Sequence, residues 1–598
     1  MVKFSQLVGP IFAILLQKRY IALAAVSILT VCMGLLEMGV AGSVSLLGVA
    51  MSSPDALKKM PGYDFLMSLR TWMEIEISPM LYMLIVVMCI VTISIAFKNI
   101  ILSFLTWKQN CVANNISWDC MCALYNAYLK APYTWHIQQN SADLQMYLTW
   151  KYYVSVYILN FIQASANVII VAILIVSTCI VVGFSALIMF LVIGLIGLGI
   201  YVFFQKRSQA LGRKVATFEE KLFRSTAECL RGIQEVLLYH TEGYFFSAMA
   251  EMQHQYVRTT SVRDLMGSVP QWILESLGTL MLLLVLIATV LSGSSEAKVV
   301  GTLMLLAAVC WRMLPATNKL LGSLLVLKGY HANFQAIVKK IFEIPLNEDA
   351  EQKKIILFQQ KISAHDICFS YPNVNELALK RVSFEIKRGG MIGIIGTSGA
   401  GKSTLVGIIS GLLSPTLGNL VIDGAALGVG QALHVGYVPQ QINLLDATIA
   451  ENIAFCELGR GVDQERVLKC CRMASLDFIT SLPEGINSRV GEGGGRLSGG
   501  QIQRIGIARA LYGNPDVLIF DEATSALDAA TESAIQQTVE SLKAQITIIV
   551  IAHRLSTVKN CDYVYWLSDG TIIKEGDATT VLRSYCEFLE EKQKNDSN

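Results

Sequence analysis

Residues 391–404 read Met391-Ile-Gly-Ile-Ile-Gly-Thr-Ser-Gly-Ala-Gly-Lys-Ser-Thr404. The first five residues suit a buried strand, and the rest match the pattern G-x-x-x-x-G-K-S, which requires a strand before it and a helix after it. Glycines let backbone N–H groups approach phosphates, the lysine reaches the β- and γ-phosphates, and the serine hydroxyl contacts Mg²⁺. We therefore predict an α/β domain with a phosphate-binding loop formed by Gly396, Thr397, Ser398, Gly399, Ala400, Gly401, Lys402, Ser403 and Thr404.

Two further segments carry the chemistry expected around such a loop. The apolar run from Val517 to Phe520 ends in Asp521 and Glu522. A carboxylate at this place can hold Mg²⁺, and a second can polarise the attacking water, so we predict those roles for Asp521 and Glu522 respectively. Upstream, a serine and two glycines open a predicted helix and present N–H donors; this segment is Leu497-Ser498-Gly499-Gly500-Gln501.

The composition of the chain excludes a wholly cytosolic enzyme. Of 598 residues, 53% are hydrophobic and 16% are charged, which leaves too little polar surface for a soluble protein of this size. The net charge of +2 excludes the basic footprint of a nucleic-acid-binding protein. The 14 cysteines form no regularly spaced framework, so we expect reduced thiols.

Long apolar runs occur only before residue 330. Glu37 is the only charged residue between 20 and 54, and no charge occurs in 77–97, 152–205 or 276–295. The run 152–205 is long enough for two spans, and a sixth span is predicted at about 299–327. We predict a six-span α-helical membrane domain at residues 1–330, a linker at 331–354 and an α/β P-loop ATPase domain at 355–598.

The positions of Lys and Arg set the orientation of these spans. Basic residues precede the first span, and nine lie in segment 206–265, so these parts and the ATPase domain are predicted to be cytoplasmic. The inner segments 108–151 and 206–265 have helical apolar spacing and few glycines or prolines, which predicts that the second to fifth spans continue into the cytoplasm as helices. Segment 52–78 is predicted to be external and to contain a short interfacial helix.

The segment at Ser498 resembles the signature of ABC transporters, and the order of the other motifs resembles the exporter type of that family along the whole chain. The resemblance implies a type I exporter fold that binds ATP and Mg²⁺. It further implies that Tyr371 stacks on adenine, that Gln440 takes part in catalysis and binds the metal, and that His553 is the switch histidine. It assigns nucleotide contacts to Ser498, Gly499, Gly500, Gln501 and, in the D-loop 525–528, Asp528.

The same resemblance implies that two chains are needed, because in this family the signature of one ATPase domain closes over ATP held by the other. The chain has one complete set of motifs, so we expect a homodimer, with a heterodimer as the alternative. Turns near 133–143 and 240–245 are expected to contact the ATPase domains, and Glu492 is expected to sense them, unless its glycine-rich segment is an ordinary turn.

Three cations fall within or at the end of predicted spans. A charge at the bilayer centre costs about 2.5 to 3.5 kcal/mol, so Lys98, Arg312 and Lys319 require an explanation. The functional interpretation is a cationic lining for the phosphates of a lipid headgroup. The structural alternatives are lysines that extend to the interface, and an ion pair between Arg312 and Glu37 or Glu275.

Residues 311–319, together with Glu37, Glu275 and the external helix, resemble PglK-type flippases, which move lipid-linked oligosaccharides across bacterial inner membranes. This resemblance implies a polyprenyl diphosphate-linked glycan as cargo and a multi-pass protein of the bacterial inner membrane. Lipid A, a hydrophobic drug or a peptide as cargo remain alternatives, as does an ATP-driven regulator without cargo.

Overall fold

The computed structural model describes residues 19–37, 39–40, 63–72, 77–182, 185–291, 296–345, 354–428, 431–521, 533, 537–540, 542–543, 545–551 and 555–596. The chain divides into two compact units. One comprises residues 1–129 and 139–345, and the other comprises residues 130–138 and 346–598.

The first unit is helical. Its described helices are α1 (Arg19–Glu37), α2 (Tyr63–Trp72), α3 (Pro79–Lys130), α5 (Ser141–Thr149), α6 (Lys151–Val182), α7 (Ser185–Arg231), α8 (Ile233–Leu238), α9 (Glu242–Leu291) and α10 (Glu296–Glu343). The short helix α4 (Tyr133–Ile137) lies in the second unit. The predicted external segment contains α2. Helices α3, α7 and α9 extend into the predicted inner segments as expected, whereas the helix of the third predicted span, α6, begins only at Lys151, after the separate short helices α4 and α5. Helix α10 continues through the first part of the predicted linker, while the domain boundary itself stays a prediction.

Three stretches of the described residues are long and apolar enough to cross a membrane: Arg19–Glu37, Leu81–Lys130 and Ser141–Val176. Large apolar side chains on the second stretch point outward; Ile93 is 69% exposed and Ile100 is 68% exposed. Such exposure is unfavourable in water and suits lipid. The later predicted spans fall partly on side chains outside the described part of the chain.

Helices α7 and α10 approach each other closely at small residues. A Cβ atom on Gly212 would lie 1.9 Å from the carbonyl oxygen of Gly329, so a larger residue would force the helices apart. Nearby, the Ser208 hydroxyl donates to the carbonyl oxygen of Leu325 at 3.0 Å. Small residues allow this kind of backbone approach between long helices.

A partly buried carboxylate joins four helices of the first unit. Glu219 on α7 accepts hydrogen bonds from the hydroxyls of Tyr153 on α6 and Tyr256 on α9 and, at 3.4 Å, from the amide of Asn333 on α10. Burial raises the pKa of Glu219. Because the carboxylate is hydrogen-bonded by three other helices, the cluster holds this part of the bundle together.

The described residues of the second unit form three sheets. Its strands are β1 (Lys354–Ile356), β2 (Lys361–Phe369), β3 (Leu379–Lys387), β4 (Met391–Ile395), β5 (Leu417–Ile422), β6 (Ala425–Ala426), β7 (Gln431–Leu433), β8 (Val435–Val438), β9 (Val517–Asp521), β10 (Thr547–Ile551), β11 (Tyr563–Ser568) and β12 (Thr571–Gly576). The strand order is β12-β11-β4-β10-β9-β8 in the largest sheet, β3-β2-β5-β6 in the second and β1-β7 in the third.

Helices accompany these sheets in the second unit. They are α11 (Lys402–Ile409), α12 (Ile449–Ile453), α13 (Gln464–Met473), α14 (Gly499–Tyr512), α15 (Leu555–Val558) and α16 (Ala578–Asp596). Strands β4, β10, β9 and β8 are parallel, with Ile551 paired with both Ile394 and Asp521. The carboxyl ends of β4, β9 and β10 therefore meet at one edge of the sheet, where ligands of parallel α/β sheets bind.

Candidate nucleotide-binding site

The predicted phosphate loop connects β4 to α11, as its sequence pattern requires. All five residues of β4 are buried, and α11 begins at Lys402 after Gly401, whose φ is +99°. A Cβ atom on Gly401 would lie 2.7 Å from the carbonyl oxygen of Ala378. Both the positive φ and the lack of space require glycine here. The loop thus keeps the close backbone approach that a phosphate cradle needs.

Lys402 is 5% exposed, which is unusual for a lysine. Its ammonium donates to the carbonyl oxygens of Gly396 at 2.8 Å and Thr397 at 3.0 Å. The loop itself therefore holds the charge beside the first turn of α11. A cation inside a loop of backbone donors fits the phosphates of a nucleotide.

The predicted metal ligands offer the oxygen donors that Mg²⁺ prefers. Ser403 is exposed on the first turn of α11, and Asp521 is partly exposed at the end of β9. Oδ2 of Asp521 accepts a hydrogen bond from the Tyr437 hydroxyl at 2.7 Å. Gln440 is exposed two residues beyond β8. A hydroxyl, an amide and a carboxylate of this kind fit a magnesium ion bound together with a nucleotide.

Three predicted site residues lie outside the described residues. Glu522 follows Asp521 directly in the sequence, and His553 follows Ile551, the last residue of β10, by two positions. Asp528 lies in the segment between β9 and β10. The roles of all three stay predictions from the sequence.

The aromatic residue predicted to stack on adenine lies beside the phosphate loop. The Tyr371 hydroxyl is 3.0 Å from Oγ1 of Thr404 on α11. Its ring also packs edge-to-face on Phe369, with a centroid distance of 5.0 Å. The structure therefore brings Tyr371 to the helix that starts at the predicted phosphate site.

The predicted signature forms the N-terminus of α14. Ser498 caps this helix: its hydroxyl accepts from the backbone N–H of Gln501 at 3.3 Å, while the Gln501 side chain accepts from the N–H of Ser498 at 2.9 Å. Ser498 and Gly499 are exposed, and Gly500 is partly exposed. A capped helix start presents partial positive charge to its surroundings, which suits contact with phosphate. The side chain of Gln501 is used in the cap.

The predicted substrate residues of the first unit differ in their exposure and in their partners. The Lys98 ammonium on α3 is 3.1 Å from Oε1 of Glu37 on α1. Lys319 is exposed on α10. The side chain of Arg312 lies outside the described part of the chain. Oε1 of Glu275 accepts a hydrogen bond from Gln271 at 2.9 Å.

The turn near 133–143 was predicted to contact the ATPase domain, and part of it does. Residues 130–138 belong to the same compact unit as the sheets, and the Gln138 side chain donates to the carbonyl oxygen of Pro372 at 3.2 Å.

One residue near the site was not predicted. Tyr437 reaches Asp521, and burial, the Asp521 carboxylate and the nearby Tyr133 together raise the pKa of Tyr437. Tyr437 and Asp521 are far apart in sequence, so a single sequence carries no local signal for their contact.

Comparisons with known proteins agree with this geometry. Residues 379–525 match the family model described as ABC transporter. An ATP-dependent lipid A-core flippase of Blochmanniella pennsylvanica (strain BPEN) is 31% identical over 393 residues, or 63% of this chain and 65% of that protein. An ATP-dependent lipid A-core flippase of Chromobacterium violaceum is 40% identical over 228 residues, or 37% of this chain and 38% of that protein. The chain thus aligns with less than two thirds of the length of these relatives.

A solved structure matches almost the whole chain. The structure of a bacterial Atm1-family ABC exporter with ATP bound has a TM-score of 0.79 and 21% sequence identity, covering 96% of this chain and 98% of that one. At this level of identity the similarity establishes the fold. It confirms the predicted architecture of a helical membrane domain followed by an α/β P-loop domain.

Proposed function

Because this chain belongs to the ABC transporters of the exporter type, we propose that it hydrolyses ATP to move an amphiphilic lipid across a membrane. One observation carries this proposal: the phosphate loop after β4 and the carboxylate at the end of β9 lie at one edge of one sheet, in a chain that also has helices of membrane-spanning length. The proposed domains are 1–330 for the membrane and 355–598 for ATP, joined by 331–354.

The residues of the second unit divide the chemistry among them. The loop N–H groups and Lys402 bind the phosphates, Tyr371 contacts the adenine, and Ser403, Gln440 and Asp521 hold Mg²⁺. When bound, Mg²⁺ neutralises phosphate charge during hydrolysis. Glu522 orients and polarises the water that attacks the γ-phosphate in line, and His553 contacts that phosphate. Catalysis therefore comes from positioning and charge stabilisation.

The active form is proposed to be a homodimer. Ser498, Gly499 and Gly500 lie at an exposed helix start. In a dimer, these residues of one chain can reach the ATP that is held by the phosphate loop of the other chain. Because one chain carries every motif intact, two copies of it would form two equal ATP sites. The proposed location is the bacterial inner membrane, with the ATPase domain in the cytoplasm.

The cargo is proposed to be a lipid with a phosphate-bearing head, specifically a polyprenyl diphosphate-linked oligosaccharide. Cations in membrane helices favour phosphate through charge-assisted hydrogen bonds. Lys98 is paired with Glu37 at 3.1 Å, so in this conformation the exposed Lys319 and the sequence position of Arg312 carry more of the argument than Lys98 does.

A second candidate cargo, lipid A, has support from a different observation. Both relatives described above carry the name ATP-dependent lipid A-core flippase. Lipid A also bears phosphates, so the same cations suit either headgroup. The two cargoes differ in the lipid tail and the sugar, and they can be separated experimentally.

The test uses purified protein in proteoliposomes, with ATP hydrolysis and lipid flipping measured for a diphosphate-linked oligosaccharide, lipid A and an uncharged drug. We expect the oligosaccharide to raise ATPase activity and to be flipped. Stimulation by lipid A alone would replace the proposed cargo with lipid A. Stimulation by the drug alone would remove the headgroup proposal, and no nucleotide hydrolysis under any condition would end the proposed function.

In the same assay, Arg312→Gln is expected to lower flipping and cargo-stimulated ATPase activity on the order of tenfold, because it removes a charge-assisted phosphate contact. Basal ATPase activity should change little, because Arg312 lies in the other compact unit. Arg207→Gln, in the predicted inner segment beyond the spans, is the control. Flipping at the wild-type rate by folded Arg312→Gln protein would show that Arg312 has no role in cargo binding.

The Lys98–Glu37 pair yields a separate prediction. Lys98→Gln should destabilise the protein by about 1 kcal/mol, because it removes the ion pair that joins α3 to α1. Adding Glu37→Gln should restore thermal stability in detergent. If Lys98 also contacts cargo, the double variant regains stability and not cargo stimulation; recovery of both would assign Lys98 to the ion pair alone.

A further inference from the structure

Tyr437 and Asp521 lie on neighbouring parallel strands. The register of β8 and β9 places Tyr437 opposite Ile519 and Val438 opposite Phe520. Successive residues of a strand alternate between the two faces of a sheet, so Tyr437, Ile519 and Asp521 share one face. The diagonal step from Tyr437 to Asp521 is what brings the hydroxyl to Oδ2 at 2.7 Å.

The Tyr437 ring is fixed by packing. It lies against the hydrophobic cluster that includes Ile392, Ile519 and Ile549, so its hydroxyl has little freedom to leave the carboxylate. A tyrosine hydroxyl can donate a hydrogen bond to a carboxylate, which only accepts when ionised. Within the described residues, no hydrogen-bond donor to Oδ1 of Asp521 is found.

The hydroxyl therefore occupies one carboxylate oxygen and leaves the other for a ligand. Carboxylates that bind metals are commonly oriented by such outer donors, whose loss lowers metal affinity about 10- to 100-fold. No sequence motif marks Tyr437, because its contact with Asp521 depends on the pairing of β8 with β9.

We propose that Tyr437 is a positioning residue that holds the Asp521 carboxylate so that Oδ1 is available to the divalent cation bound with ATP. This inference rests on the proposed function, since it needs a metal–nucleotide site at Asp521. It adds a residue from a different strand, three positions before Gln440, to the machinery of that site.

The test measures metal binding directly. Full-length wild-type protein, Tyr437→Phe and Tyr565→Phe are purified, and Mn²⁺ is titrated in the presence of a non-hydrolysable ATP analogue, with free Mn²⁺ followed by electron paramagnetic resonance. Tyr565→Phe is the control: it removes the hydroxyl of another tyrosine of this unit, one whose side chain is buried and which donates to the carbonyl oxygen of Glu385 at 2.6 Å. Thermal melts and binding of the analogue without divalent ions are measured in parallel.

We expect Tyr437→Phe to raise the Kd of Mn²⁺ about tenfold, while Tyr565→Phe stays within twofold of wild type and analogue binding without metal is unchanged. An unchanged Mn²⁺ Kd in folded Tyr437→Phe protein would overturn the inference and leave the proposed function standing. An equal loss in both variants would also overturn it, because a general effect of losing a tyrosine hydroxyl would then explain the result. If wild-type protein binds no Mn²⁺ with the analogue, the proposed function fails and the inference fails with it.

Discussion

Lys402→Ala is expected to reduce ATP affinity on the order of 100-fold and to bring turnover to background. The ammonium is almost fully buried and is held by two loop carbonyl oxygens, 2.8 and 3.0 Å away. Removing it leaves the phosphates without a charge-assisted partner, and such partners form the stronger hydrogen bonds of proteins. Bound nucleotide in detergent or nanodiscs is measured by equilibrium binding, and turnover by phosphate release.

The control for this variant is Lys361→Ala. That lysine is in the same unit but its side chain is 49% exposed, and it pairs with Glu385 at 2.9 Å. It should bind and hydrolyse ATP as wild type does. ATP binding by folded Lys402→Ala protein at the wild-type level would refute the assignment of the phosphate loop.

Glu522→Gln separates binding from chemistry within the same experiment. The amide cannot polarise water as a carboxylate does, so turnover should fall by about 10²- to 10⁴-fold. The phosphate loop is intact in this variant, so ATP should stay bound between closed domains. Wild-type turnover by Glu522→Gln would remove Glu522 from its proposed role.

A dimer made from one Ser498→Arg chain and one Lys402→Ala chain is expected to keep about half of the wild-type turnover per dimer. If the signature acts across the dimer, one composite site receives both lesions and the other receives none. Homodimers of either variant have two damaged sites and should be inactive. Tandem affinity tags isolate the mixed dimer, and phosphate release gives the turnover.

The matched control places the same two lesions in one chain and pairs it with a wild-type chain. In the trans arrangement each site then has one lesion and the dimer is inactive; if each chain used its own signature, this control would be the active one. Should hydrolysis require both sites, neither dimer turns over, and cross-linking of Ser498→Cys to Ser398→Cys decides the question. Cross-links within single chains would contradict the trans arrangement.

Much of the site was predictable because its parts are local in sequence. The pattern around Lys402 requires a strand, a loop and a helix, and the structure has all three at β4 and α11. The apolar run before Asp521 predicts a buried strand, and β9 ends at that residue. The serine at 498 predicts a helix start, and the structure shows its hydroxyl capping α14.

The local sequence could not decide whether the membrane cations bind a ligand phosphate or have a structural role. Lys98 is 61 positions from Glu37, and only the packing of α1 on α3 shows that their side chains lie 3.1 Å apart. A charge in an apolar run indicates a need for a partner, and it does not say whether the partner is a carboxylate of the protein or a phosphate of a ligand.

The sequence by itself determined the division into apolar helices and an α/β domain, and it predicted the phosphate loop and the residues proposed to carry the ATP chemistry, because these depend on periodicity and on the chemistry of neighbouring residues. Only the tertiary structure decided that Tyr437 meets Asp521 and that Glu219 links four helices. Those contacts depend on strand order, register and helix packing, which bring together residues that no short stretch of sequence contains.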